Sequence, residues 1–181
     1  VTANPTIPGR VGVCKASLTD GALTPVLMTP GNYGSPVLAK KSDAVVANFR
    51  SWSMMNELCT IRNGKEEPIT KSHKSEDFWK LQKVKPQLFS YQNRRGDTVH
   101  GYMYLPPDYK KGDRRPLMIY TYGGPLNARG NDVKDGTFNG FNMYLAYKYG
   151  YITCTIDPRG MSGYGGKWES ANWETPGKAQ T

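Results

Sequence analysis

A chain of 181 residues, 38% hydrophobic, 12% aromatic and 22% charged, has room for one large domain or two small ones and can bury roughly 70% of the surface its unfolded form exposes. That balance excludes a disordered or fibrous protein. The net charge of +9 raises nucleic-acid binding, but the basic residues stand as scattered doublets, Lys40-Lys41, Arg94-Arg95, Lys110-Lys111 and Arg114-Arg115, mostly at expected turns and with no nucleic-acid motif, which reads as a solvated basic surface.

Residues up to about 71 read as short strands between turn residues. Thr29-Pro30-Gly31-Asn32 and Asn63-Gly64-Lys65 are the turn signals, and Ser35-Pro36-Val37-Leu38-Ala39, Ala44-Val45-Val46-Ala47-Asn48-Phe49 and Asn56-Glu57-Leu58-Cys59-Thr60-Ile61 the candidate strands. Three strands at such spacing approach one propeller blade, which has about four. The acidic pair Glu66-Glu67 reads as a solvated turn. Over 72–86 the composition shifts. Ser75-Glu76-Asp77-Phe78-Trp79 is a helix start, and a connecting segment is expected.

Next, Gln87-Leu88-Phe89-Ser90-Tyr91-Gln92 and Thr98-Val99-His100-Gly101-Tyr102-Met103-Tyr104-Leu105 flank Asn93-Arg94-Arg95-Gly96-Asp97, which predicts a hairpin with a five-residue loop. The near-continuous apolar run Pro116-Leu117-Met118-Ile119-Tyr120-Thr121-Tyr122 predicts a strand buried on both faces. A helix over 139–149 follows, with Phe141, Tyr144, Leu145 and Lys148 at helical spacing and Gly150 as its C-terminal cap. Tyr151-Ile152-Thr153-Cys154-Thr155-Ile156 is a second buried strand, ending in Asp157-Pro158-Arg159-Gly160. Strand, helix and parallel strand make the crossover unit of an α/β sheet.

Three cysteines, Cys14, Cys59 and Cys154, with His73 and His100, give no zinc spacing. Cys154 reads as a buried free thiol, and pairing of Cys14 with Cys59 stays open. No signal peptide and no apolar run near the ~18 residues of a membrane span is found, and the first residue is Val1, which fits a processed protein or a fragment.

From about Pro86 to Gly166 the chain resembles the start of the peptidase domain of the dipeptidyl peptidase IV and prolyl oligopeptidase family. The resemblance rests on a hairpin turned at Arg95-Gly96-Asp97 and leading to Tyr104-Leu105-Pro106-Pro107-Asp108-Tyr109, a charged loop ending at Arg115-Pro116, a strand running into Gly123-Gly124-Pro125, and Asp157-Pro158-Arg159-Gly160-Met161-Ser162-Gly163-Tyr164-Gly165. Leu27-Met28-Thr29-Pro30-Gly31 followed by Ser35-Pro36 resembles the last blade of the propeller that precedes this domain. The resemblance implies an α/β fold, with the end of a β-propeller over 1–71, a linker over 72–86 and the N-terminal part of an α/β-hydrolase domain over 87–181.

It further implies a serine-type exopeptidase that works near a peptide's amino terminus through an acyl-enzyme. Rivals on the same scaffold are an acylaminoacyl-peptidase or esterase, and a non-catalytic pseudo-hydrolase that only binds. Tyr122 matches the tyrosine whose hydroxyl enters the oxyanion hole, Gly123 and Gly124 allow close approach, and Asp157, Arg159 and Gly160 match a structural turn in which Arg159 could pair with a carboxylate. Ser162 is not the nucleophile, because Tyr164 stands where a Gly-x-Ser-x-Gly elbow requires glycine and no histidine follows His100. The triad is expected outside this chain. Neither histidine is expected to be catalytic, the family's acidic pair is not carried onto Glu66-Glu67, and a phosphate loop lacks its lysine. No cofactor or metal is implied; the partner is a peptide substrate. A homodimeric parent and a periplasmic or extracellular setting follow from the resemblance alone.

Overall fold

In a computed structural model, residues 1–3, 10–28, 31–52, 54–71, 75–121, 138–161 and 164–173 are described, and they form two sheets joined by a short helix. The first sheet holds β1 (Thr2–Ala3), β2 (Arg10–Ala16), β3 (Leu23–Leu27), β4 (Gly31–Leu38), β5 (Val45–Ser51), β6 (Met54–Arg62) and β7 (Lys65–Pro68). Its path is β1-β2-β4-β5-β6-β7, with β3 paired to β2. β4 to β7 form an antiparallel meander in which each strand pairs with its chain neighbour.

Asn63 and Gly64 make the β6–β7 turn, with φ of +50° and +71°, and Arg62 opposes Lys65 across it. A two-residue turn with both central φ positive suits the strand twist and favours Asn-Gly. Two expectations change. Glu66 and Glu67 belong to β7, because the two-residue turn ends at Gly64, and Tyr33 Oη donates to Glu66. Gly31 and Asn32 likewise open β4 rather than turning, because they pair with Arg10 and Val11 of β2 and Asn32 also with Arg50 of β5. Val13, Leu27, Tyr33, Ala47, Cys59 and Ile61 make this sheet's core. All three thiols are buried and free. The pairing left open for Cys14 and Cys59 is not made, and burial pushes the Cys154 thiol up to about 11.

Helix α1 (Glu76–Leu81) starts where expected, because Ser75 Oγ accepts from the Phe78 amide at 3.1 Å. The second sheet contains β8 (Pro86–Gln92), β9 (Thr98–Tyr104), β10 (Leu117–Thr121) and β11 (Ile152–Asp157), in the order β10-β11-β9-β8. β8 and β9 are the expected hairpin, whose loop is held by Asn93 Oδ1 accepting from the Arg95 and Asp97 amides, each at 2.9 Å. β10 and β11 are parallel, from Leu117↔Ile152 to Thr121↔Ile156. Between them runs α2 (Gly140–Tyr149), opened by Asn139 Oδ1 on the Asn142 amide and closed by Gly150 in the left-handed conformation.

Two sequence expectations fail here on burial. β10 is the sheet's open edge, with Leu117, Ile119 and Tyr120 58%, 54% and 39% exposed, because only β11 flanks it among the described residues. On α2 it is Met143 and Ala146 that are buried, while Phe141 and Tyr144 face outward. The helix carries apolar residues nearly all round, so spacing alone gave its face no direction. Met143 and Ala146 join Trp52, Val84, Tyr102 and Tyr104 in the second core. Trp52 enters it from the end of β5, its ring 5.7 Å from that of Tyr102 and its carbonyl accepting from Tyr104 Oη.

Candidate functional site

The carboxyl ends of β10 and β11, Thr121 opposite Ile156, lie side by side at one edge of the sheet. In open α/β sheets that edge, at the carboxyl ends of the strands, is where ligands bind. Of the six residues singled out in the sequence, Asp157, Arg159 and Gly160 occupy the exit turn of β11. Tyr122, Gly123 and Gly124 lie outside the described residues, as do Ser162 and His73.

Asp157 is 1% exposed, and a carboxylate so buried needs donors. Tyr164 Oη donates to its Oδ2 at 2.7 Å. Arg159 pairs with Asp97 of the hairpin loop, Nη1 to Oδ2 3.5 Å, so the carboxylate partner expected for it is found. Gly160 has φ +95°, and a Cβ built on it would lie 2.4 Å from Asn172 Nδ2; only glycine meets both conditions. Its amide donates to the Trp168 carbonyl at 3.0 Å, folding α3 (Gly166–Glu169) and the 3₁₀ turn Ser170–Asn172 back over the exit turn.

Sequence reasoning placed Tyr164 in the motif that follows β11 but gave it no contact, and it missed Trp168 and Asn172 as parts of this region. The His100 ring stacks on Tyr164 at 5.7 Å and 10° between planes, and the Trp168 ring lies 5.7 Å from the other neighbour of that stack, Tyr164. His100 opposes Asp157 in the antiparallel β9–β11 register, and desolvation lowers its pKa. Of the two ordinary settings open to a histidine in this strand, surface or packed, His100 takes the packed one. Arg159 Nε, Trp168 Nε1 and Asn172 Nδ2 are buried without acceptors among the described residues. A cavity of about 390 Å³ opens beside the strand ends, lined among others by Arg94, Thr121, Ile156 and Arg159. Among the described residues no group of His, Cys, Asp and Glu is placed to hold a metal, and no helix is long and apolar enough to cross a membrane. Chemically, the described groups can bind, donate and brace; no described serine or cysteine is hydrogen-bonded to His100.

No family model matches the chain. It is similar in sequence to dipeptidyl peptidase 8 of Mus musculus, 28% identical over 127 residues, which cover 63% of this chain and 13% of that protein. It is also similar to dipeptidyl-peptidase 5 of Porphyromonas gingivalis, 24% identical over 143 residues, 78% of this chain and 20% of the relative. Among solved structures, dipeptidyl peptidase 4 of Porphyromonas gingivalis aligns with a TM-score of 0.70 and 17% identity over 92% of this chain and 23% of that one, a likeness of fold. The chain thus spans a fifth or less of the length of these curated relatives.

Proposed function

We propose, from the premise that this chain belongs to the dipeptidyl peptidase IV-like family, that its parent is a two-domain serine peptidase in which a β-propeller caps an α/β-hydrolase domain. In this reading residues 1–71 are the last propeller blade, 72–86 the connection, and 87–181 the beginning of the hydrolase. Other parts of the parent supply the serine, aspartate and histidine. The substrate is a peptide, cleaved near its amino terminus through an acyl-enzyme.

The observation that carries the reading is the parallel pairing of Leu117–Thr121 with Ile152–Asp157 across a helical crossover. That unit ends where the sequence continues from Thr121 into Tyr122. Attack of a serine on a peptide carbonyl puts negative charge on oxygen, and a hydroxyl held at a strand end stabilises it without reorganising. Tyr122 is that donor. Asp157, Arg159 and Gly160 form the neighbouring turn that braces the same edge, and Gly123 and Gly124 let substrate approach. Alone, the chain has a donor but no nucleophile and base, hence no covalent route.

The test is Tyr122→Phe in the complete parent, which removes one hydroxyl and keeps the ring. kcat should fall roughly 10²–10³-fold, about 2.7–4 kcal/mol, with KM nearly unchanged and the melting curve preserved. A folded variant with parental kcat would make Tyr122 a packing residue and remove the oxyanion assignment.

A further inference from the structure

We propose that Tyr164 is a positioning residue for the peptidase reaction, clamping the exit turn of β11 so that the neighbouring end of β10 delivers its donor in register. The inference rests on the reading of Tyr122 as the oxyanion donor.

Tyr164 itself belongs to no strand, and α3 starts only at Gly166, so no ladder fixes the ring. Its place is set by side chains instead. His100 stacks on one side with its plane nearly parallel, and Trp168 leans on it at 52°. The hydroxyl ends on Asp157, the last residue of β11. Because His100 and Asp157 are directly opposed on adjacent strands, ring and carboxylate leave the same face. One tyrosine thereby ties β9, β11 and the returning segment at a single point. At 2.7 Å the bond from Tyr164 Oη to Asp157 Oδ2 has the length of a well-made O–H···O contact.

The residue before Asp157, Ile156, pairs with Thr121, the last residue of β10, and Tyr122 is next in sequence. Any slip of the β11 exit is therefore passed through one ladder rung to the residue that precedes the donor. The second tether, Arg159 to Asp97, is longer and partly exposed. Among the described residues the other buried side-chain donors of the turn, Arg159 Nε, Trp168 Nε1 and Asn172 Nδ2, find no acceptor. Catalysis is sensitive to such slips: displacement by about 1 Å can cost on the order of 10²-fold. Ground-state binding of the peptide is untouched, so the cost falls on kcat.

The experiment is steady-state kinetics on the complete parent with an unblocked chromogenic dipeptide, comparing wild type, Tyr164→Phe, His100→Ala and His100→Phe, each with a melting curve. Tyr164→Phe and His100→Ala should lower kcat about tenfold with KM within about twofold. His100→Phe, which keeps a flat ring for the stack, should restore kcat to near the wild-type value. Unchanged kcat in folded Tyr164→Phe and His100→Ala would overturn the proposal. So would losses that merely follow the melting temperature and are not restored by His100→Phe. Should Tyr164→Phe fail to fold, the two His100 variants decide by themselves. A parent that is active, and dependent on Tyr122 but indifferent to Tyr164 and His100, overturns this proposal alone; a parent with no peptidase activity overturns the functional reading and this proposal with it.

Discussion

Gly160 and Gly165 share a φ of +95° but not a neighbourhood. A Cβ at 160 would collide with the Asn172 side chain, whereas one at 165 would meet nothing within 4 Å. The backbone alone costs a non-glycine residue about 1–3 kcal/mol at either position. Gly160→Ala should therefore destabilise the chain more than Gly165→Ala, by about 1 kcal/mol or more of overpacking. Denaturant melts of both variants measure the difference, and Asn172→Ala should narrow it. Equal losses would mean that Asn172 yields without cost. The sequence displays Gly160 through its Asp-Pro-Arg-Gly setting, yet it gives no sign of Asn172. Nor does it show that Tyr164 stacks on His100 while bonding to Asp157, because that arrangement depends on the register of β9 against β11. Arg159 was legible as a residue wanting a carboxylate. Which one, Asp97 in the hairpin loop, was not.

Local punctuation was read correctly where one or two residues decide an element. Ser75 caps α1, Asn63-Gly64 closes β6–β7, and Gly150 ends α2. Orientation was not, because which face packs is settled by partners distant in sequence. α2 was read from Phe141, Tyr144, Leu145 and Lys148; the structure turns Met143 and Ala146, both fully buried, onto Tyr102 and Tyr104. Truncation separates the two readings. Met143→Ala should cost about 2–5 kcal/mol, as removal of a buried side chain does, while Phe141→Ala should stay within about 0.5 kcal/mol in this chain. Thermal or chemical melts check both, and a larger loss at Phe141 would restore the face expected from spacing. β10 failed for a related reason: an apolar run announces burial but cannot name the strand that covers it.

At the scale of the molecule that uncovered strand has a cost. Among the described residues β10 presents Leu117, Ile119 and Tyr120 on an edge with one neighbour, and an exposed apolar edge templates pairing with other chains. The isolated 181-residue chain should associate as its concentration rises, and Ile119→Lys should suppress this. Light scattering across a dilution series measures it; a wild-type chain monomeric throughout would show the edge to be protected. Trp52 bears on a different property, divisibility. The residue belongs by position to the first sheet and by packing to the second core, where its ring lies against Tyr102 and its carbonyl accepts from Tyr104 Oη. Cutting the polypeptide within 72–86 would not yield two intact halves: the second would keep an indole-shaped hole in its interior, and the first would carry the matching plug into water. The sheets are thus linked twice, by the connecting segment and by an interior they hold in common.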